Sequence, residues 1–173
     1  MVGSTFIAGL KMRTETVSIY KFDELPEGKA KERAREIGRQ WVGSDPHWSS
    51  ESVKSIQAFC DYFGVTLKRW SVGAYEPVNY STDADNANFR ERKLREFNRD
   101  YMPTGYCLDC NLWGAFYDYF KRTGDAKGAF DAGLESGFKA WRDDLEHQLT
   151  DEYIDDFLTI NEYEFDEYGN LYR

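Results

Sequence analysis

Three cysteines and two histidines carry most of the reactive chemistry in this chain. Cys107-Leu108-Asp109-Cys110 spaces two thiols three residues apart where a helical pattern begins. A helix N-terminus can stabilise a thiolate in that arrangement, as in disulfide oxidoreductases. The same spacing is also half of a four-ligand zinc site. The second half is missing: Cys60 stands alone, and neither His47 nor His147 has another histidine at ligand spacing. Residues 88–106 do not supply the βαβ unit a thioredoxin-like site requires, and the charge of Asp109 disfavours a thiolate. Cys107 and Cys110 therefore read first as structural thiols, with redox or metal binding as the alternative. His47 follows Asp45-Pro46 in a loop, and His147 falls late in a helix, where a cation suits the dipole. No phosphate-cradling glycine loop, dinucleotide fingerprint, nucleophile elbow or metalloprotease motif occurs. We assign no catalytic residue, no metal and no cofactor, and expect a protein that binds rather than one that catalyses.

The elements that must position these residues follow from periodicity. Thr14–Phe22 alternates apolar and polar residues and predicts a strand. From Leu25 to Trp41 the apolar residues recur at helical spacing, opposite a face of Lys, Arg and Glu. A second helix is expected over 51–62, stopped by Gly64. Val65–Val72 and Glu76–Ser81 predict a hairpin, with Pro77 marking an edge. Phe89–Tyr101 predicts a short charged helix, Leu108–Lys121 an aromatic-rich one, and Ala126–Leu149 a long one. Gly128, Gly133 and Gly137 weaken that long helix unless they admit a close neighbour. Thr150-Asp151-Glu152 starts a further short helix. Phe157–Phe165 alternates again, and Asp166–Gly169 looks like the turn of a closing C-terminal β-hairpin. This order predicts an α+β fold, a small, mostly antiparallel sheet with helices on one face. We expect residues 1–13 to be a flexible extension and 14–173 one domain.

Aromatic residues make up 17% of the 173 residues, enough for a real core. The opening ten residues lack the basic start of a signal peptide, and no stretch is apolar enough to cross a membrane. The expectation is a cytoplasmic protein with no membrane partner.

The formal net charge is −9, which disfavours direct binding of nucleic acid through a basic footprint. The charge is unevenly placed: residues 101–173 hold six Lys or Arg against sixteen Asp or Glu. Asp143, Asp144, Glu146, Asp151, Glu152, Asp155, Asp156, Glu162, Glu164, Asp166 and Glu167 follow one another with no intervening Lys or Arg. Apolar residues interleave them, so this stretch should fold and hold its charges in place. It is the candidate partner-binding surface, with Tyr153, Tyr163 and Tyr168 as exposed anchors. Arg90–Arg99 carries five cations against two acids. These are expected to pair with the acidic region, within a molecule or across a homodimer. The alternative is a nucleic-acid-binding module on that helix.

Ile19-Tyr20-Lys21-Phe22-Asp23-Glu24-Leu25, then Lys29-Ala30-Lys31-Glu32-Arg33-Ala34, resembles the opening of a group of small acidic bacteriophage and prophage accessory proteins. Asn161–Asn170 is similar to the way such proteins end. The likeness covers about 30 residues at the two ends. It implies a phage-type origin and carries over no catalytic residues. The group includes inhibitors of host defence, among them anti-CRISPR proteins and DNA mimics. The expected partner is a host protein or ribonucleoprotein with a basic surface, inside a bacterial cell.

Overall fold

A computed structural model describes residues 16–86, 89 and 100–172. The expected extension (1–13) and nearly all of the expected basic helix (Phe89–Tyr101) lie outside them. The order is β1 (Ile19–Lys21), α1 (Lys29–Ser44), α2 (Ser49–Phe63), β2 (Leu67–Ser71), β3 (Asn79–Thr82), α3 (Leu108–Thr123), α4 (Ala126–His147), α5 (Asp151–Ile160) and β4 (Glu164–Asp166). The class is α+β, with antiparallel pairing throughout the described strands. The strands form two separate ribbons, β1 with β4 and β2 with β3. Each ribbon is backed by helices.

The larger apolar cluster joins α2, α3, α4 and the β2–β3 ribbon. Phe59 lies at its centre, edge-on to Trp113 at 4.9 Å and stacked on Phe130 at 5.3 Å. The ribbon covers α4 through Trp70 against Trp141 and Tyr80 stacked on Phe138 at 4.6 Å. The glycines of α4 are packing devices. A Cβ on Gly133 would lie 2.6 Å from the Phe59 ring and 2.7 Å from the Leu112 carbonyl oxygen, and one on Gly137 would overlap the Leu112 side chain. Helix α3 can approach α4 closely because nothing projects from those positions.

The smaller cluster draws on both ends of the chain: Phe22, Leu25, Ala34 and Val42 meet Ile154, Leu158 and Phe165. A Cβ on Gly38 of α1 would stand 2.8 Å from Ile154, so the bare backbone lets α5 settle against α1. Gln148, 2% exposed, ties this cluster to the α1–α2 loop. Its side chain accepts from the His47 amide (2.8 Å) and donates to the His47 carbonyl (3.0 Å) and to Asp144 (2.8 Å).

Two local expectations need correction. The strand predicted from Thr14 is confined, among the described residues, to Ile19–Lys21, because Phe22–Glu24 turns into a 3-10 segment. The Glu24 carboxylate closes that turn by accepting the Lys21 amide at 2.9 Å. The alternating run from Phe157 does not begin a strand: Phe157–Ile160 completes α5, and extension resumes only at Glu164. The Thr150 hydroxyl caps α5 by accepting the Tyr153 amide, and Ile154 and Leu158, four apart, bury one face. That helical spacing outweighs a short alternation. The closing hairpin is present: Phe165 bridges Leu171, and the Glu164 carbonyl accepts the Tyr172 amide at 2.7 Å. No described helix is long and apolar enough to cross a membrane.

Candidate functional site

The acidic stretch is distributed over the last turns of α4, over α5, and over β4 and its turn. Folding divides its eleven carboxylates into groups with different work to do. Asp151 and Asp155 are four apart on α5 and face Arg39 and Arg35, four apart on α1. Arg35 grips Asp155 with two bonds of 2.7 Å, Nε to one oxygen and Nη2 to the other. Hydrogen bonding to Asp155 raises the Arg35 pKa against the opposing effect of burial. Arg39 binds Asp151 and also Glu32, the latter at 2.9 Å, and the Glu32 bond leads in raising its pKa. On α4, Asp143 pairs with Lys139 one turn back, which lowers its pKa. Glu146 stands 3.5 Å from Arg142 and accepts the Tyr75 amide. Glu162 meets Lys21 at 3.3 Å.

Two further carboxylates hold backbone and amide donors instead of cations. Asp144 accepts from Gln148. Asp166 accepts from the Asn170 side chain and from the Tyr168 and Asn170 amides, both at 2.9 Å, and these bonds lower its pKa. They shape the hairpin turn, where Gly169 takes φ +79°. Its missing Cβ also matters, since one there would run into the Ala30 carbonyl of α1.

That leaves Glu152, Asp156, Glu164 and Glu167 without an ion pair among the described residues, Glu164 standing opposite Lys21 in the β1–β4 ribbon. Glu152 and Asp156 are four apart, and Ile160, 78% exposed, continues the stripe one turn on. Glu167 hydrogen-bonds Tyr168, whose phenol pKa is raised by that bond.

The three expected tyrosine anchors fare differently. Tyr168 is 68% exposed. Tyr153 and Tyr163 are half-buried members of the smaller cluster, which corrects the expectation that they are exposed. Tyr163 lies 4.9 Å from the Trp41 ring. The Tyr153 hydroxyl is 2.5 Å from His47 Nδ1, and His147 packs edge-on to the Tyr153 ring at 5.6 Å. Both histidines, far apart in sequence, thus converge on one tyrosine. Burial, then the nearby charge of Asp144, raises the Tyr153 pKa.

The most exposed aromatics that the pattern did not reveal are Trp48 and Tyr75, at 65% and 72% exposure. Both have positive φ, 61° and 62°, a strained conformation for an aromatic residue. Pro46 and Ala74, close to them in sequence, line an apolar hollow of about 130 Å³ with Val42, Val72 and Leu149. Tyr75 falls in the expected hairpin turn and Trp48 just after the Asp45-Pro46 loop, but nothing in the sequence marks the positive φ that each adopts.

The thiols separate cleanly. Cys60 is buried, and burial, followed by Asp61 and Asp83, pushes its pKa up to about 12. Cys107 and Cys110 are exposed and unpaired in a disulfide. Among the described residues no group of three or more His, Cys, Asp or Glu side chains is placed to hold a metal ion. The Arg90–Arg99 cations lie outside the described residues. A scan against protein-family models finds no match, and comparison with curated proteins and with solved structures finds none either.

Proposed function

We propose that the protein acts by binding, with the outer face of α5 and the β4 turn docking onto a basic macromolecular partner. The observation behind this reading is the stripe Glu152, Asp156 and Ile160. Its two acids have no cation among the described residues, while Asp151 and Asp155 on the same helix are held by Arg39 and Arg35. Exposed carboxylates on a rigid element keep their negative potential for a partner, and the exposed Ile160 and Tyr168 offer desolvatable area. Glu164 and Glu167 extend the acidic surface into the hairpin. The resemblance at the two chain ends supports a finer form of the proposal. In that form the partner is a nucleic-acid-handling host defence complex, blocked as an anti-CRISPR protein would block it, with the carboxylates standing in for phosphates.

The test is affinity capture from bacterial lysate at low and moderately high salt. A variant carrying Glu152→Lys, Asp156→Lys and Glu167→Lys should lose the captured complex, with circular dichroism and Tm close to wild type. The wild-type complex should weaken as salt rises, since screening shortens the reach of exposed charges. Undiminished capture by the reversed variant would overturn the proposal.

A further inference from the structure

We infer that Cys107 and Cys110 form a reversible dithiol–disulfide site that exchanges with disulfides of the glutathione class. Folding sorts the three thiols into one that cannot react and two that can. Cys60 is fully buried and held protonated by its surroundings. Cys107 and Cys110 reach the surface at the start of α3, Cys107 as the N-cap residue and Cys110 in the first turn.

The backbone already has the spacing a disulfide needs. Cys107 has helical dihedrals (φ −58°, ψ −26°), and the Cys110 amide donates to the Cys107 carbonyl at 3.1 Å. A helical turn closed this way sets the two Cα atoms about 5 Å apart, inside the Cα range of disulfides, so that rotation of Cys110 Sγ away from Met102 is the main rearrangement required.

The residue between them fixes that turn, and its charge, which by itself opposes a thiolate, is offset by three donors on one oxygen. Asp109 is 0% exposed, and one of its oxygens accepts from the Thr104 amide (2.9 Å), the Thr104 hydroxyl (2.8 Å) and the Gly105 amide (3.1 Å). Thr104 is in turn joined to Ser55 of α2 at 2.8 Å. The approach to α3 is thus anchored to the larger core, and both thiols sit on a fixed platform. Cys110 Sγ turns toward Met102 Sδ at 3.8 Å. That leaves Cys107, at the helix tip, as the entry point.

The exchange balances without any further reactant. The Cys107 thiolate attacks one sulfur of an oxidised glutathione-class disulfide, forming a mixed disulfide and expelling one thiolate. Cys110, after losing its proton, attacks the Cys107 sulfur and expels the second. Two electrons pass from the cysteine pair to the small disulfide, and the two protons released end on the two small thiols.

Intact-mass measurement of the native protein in glutathione buffers of graded ratio tests this. Wild type should lose two hydrogens, regain them on excess thiol, and remain monomeric on a non-reducing gel. Cys110→Ser should accumulate a one-glutathione adduct, Cys107→Ser should form such an adduct at least tenfold more slowly, and Cys60→Ser should behave as wild type. Persistence of both thiols in fully oxidised buffer, oxidation only between molecules, or dependence on Cys60 would overturn the inference. None of these outcomes alters the salt-dependent capture described above.

Discussion

Asp155 and Asp156 are neighbours in sequence with opposite fates. Asp155 turns to α1 and receives both prongs of Arg35, at 31% side-chain exposure, while Asp156 points outward. Asp155→Asn should lower unfolding stability by about 1–2 kcal/mol, because a bidentate, half-shielded guanidinium loses its charged acceptor. Asp156→Asn should stay within about 0.5 kcal/mol of wild type, as expected of a surface change that breaks no contact. Denaturant titration of the two variants measures both. The carboxylates with lowered pKa set the acid limb. Asp166 and Asp143 keep their charge more tightly folded than unfolded, through Asn170 and the Tyr168 amide in one case and Lys139 in the other. A depressed carboxylate contributes stability above its unfolded pKa, about 3.9, and loses it as pH falls through the lower folded value. Thermal stability should therefore decline below about pH 4. Asp166→Asn should show a shallower decline over that range, and an unchanged slope would remove Asp166 from the account.

At the scale of elements, helix packing decides more than helix propensity. Alanine for glycine inside an exposed helix gains about 1 kcal/mol. At Gly133 the added methyl meets the Phe59 ring and the Leu112 backbone. Gly133→Ala should therefore destabilise by about 1–3 kcal/mol, read by denaturant midpoint, because overpacking against backbone cannot relax by rotating a side chain. A more stable variant would mean that α3 and α4 are looser than they stand here. The spacing of these glycines raised that prospect in the sequence, but only the position of Leu112 turns it into a contact. In the same way the start of α5 at Thr150 was legible. The four residues Phe157–Ile160 read as the start of a second alternating run and are helical, because a short apolar run fits both periods.

Over the whole molecule, two apolar clusters meet at the α1–α2 loop and the α4–α5 junction. The larger is built from a continuous stretch, and the smaller needs residues 22–42 and 154–165 together. Local opening tends to follow such cooperative units. Amide hydrogen exchange should release α1 and α5 together, ahead of the core amides of α3 and α4. Exchange of α1 independently of α5 would contradict the packing of Ile154 and Leu158 on Gly38.

Sequence by itself determined the α+β class, most helix spans, the glycine stops, the excess of acid in the C-terminal part and the two-thiol spacing. These depend on local period, turn chemistry and composition, each readable within a few turns of chain. It did not show which acids remain unpaired, since Arg35 lies 120 residues from Asp155. Nor did it reveal that His47 and His147 share Tyr153, that Trp48 and Tyr75 are held outward, or that Cys60 is sealed while Cys107 and Cys110 are open. The sheet was expected as one and exists as two ribbons, because each ribbon finds its own helices to cover. Only the tertiary structure decided these points: pairing and burial depend on what lies opposite a residue in space, and that is set by the joint packing of distant segments.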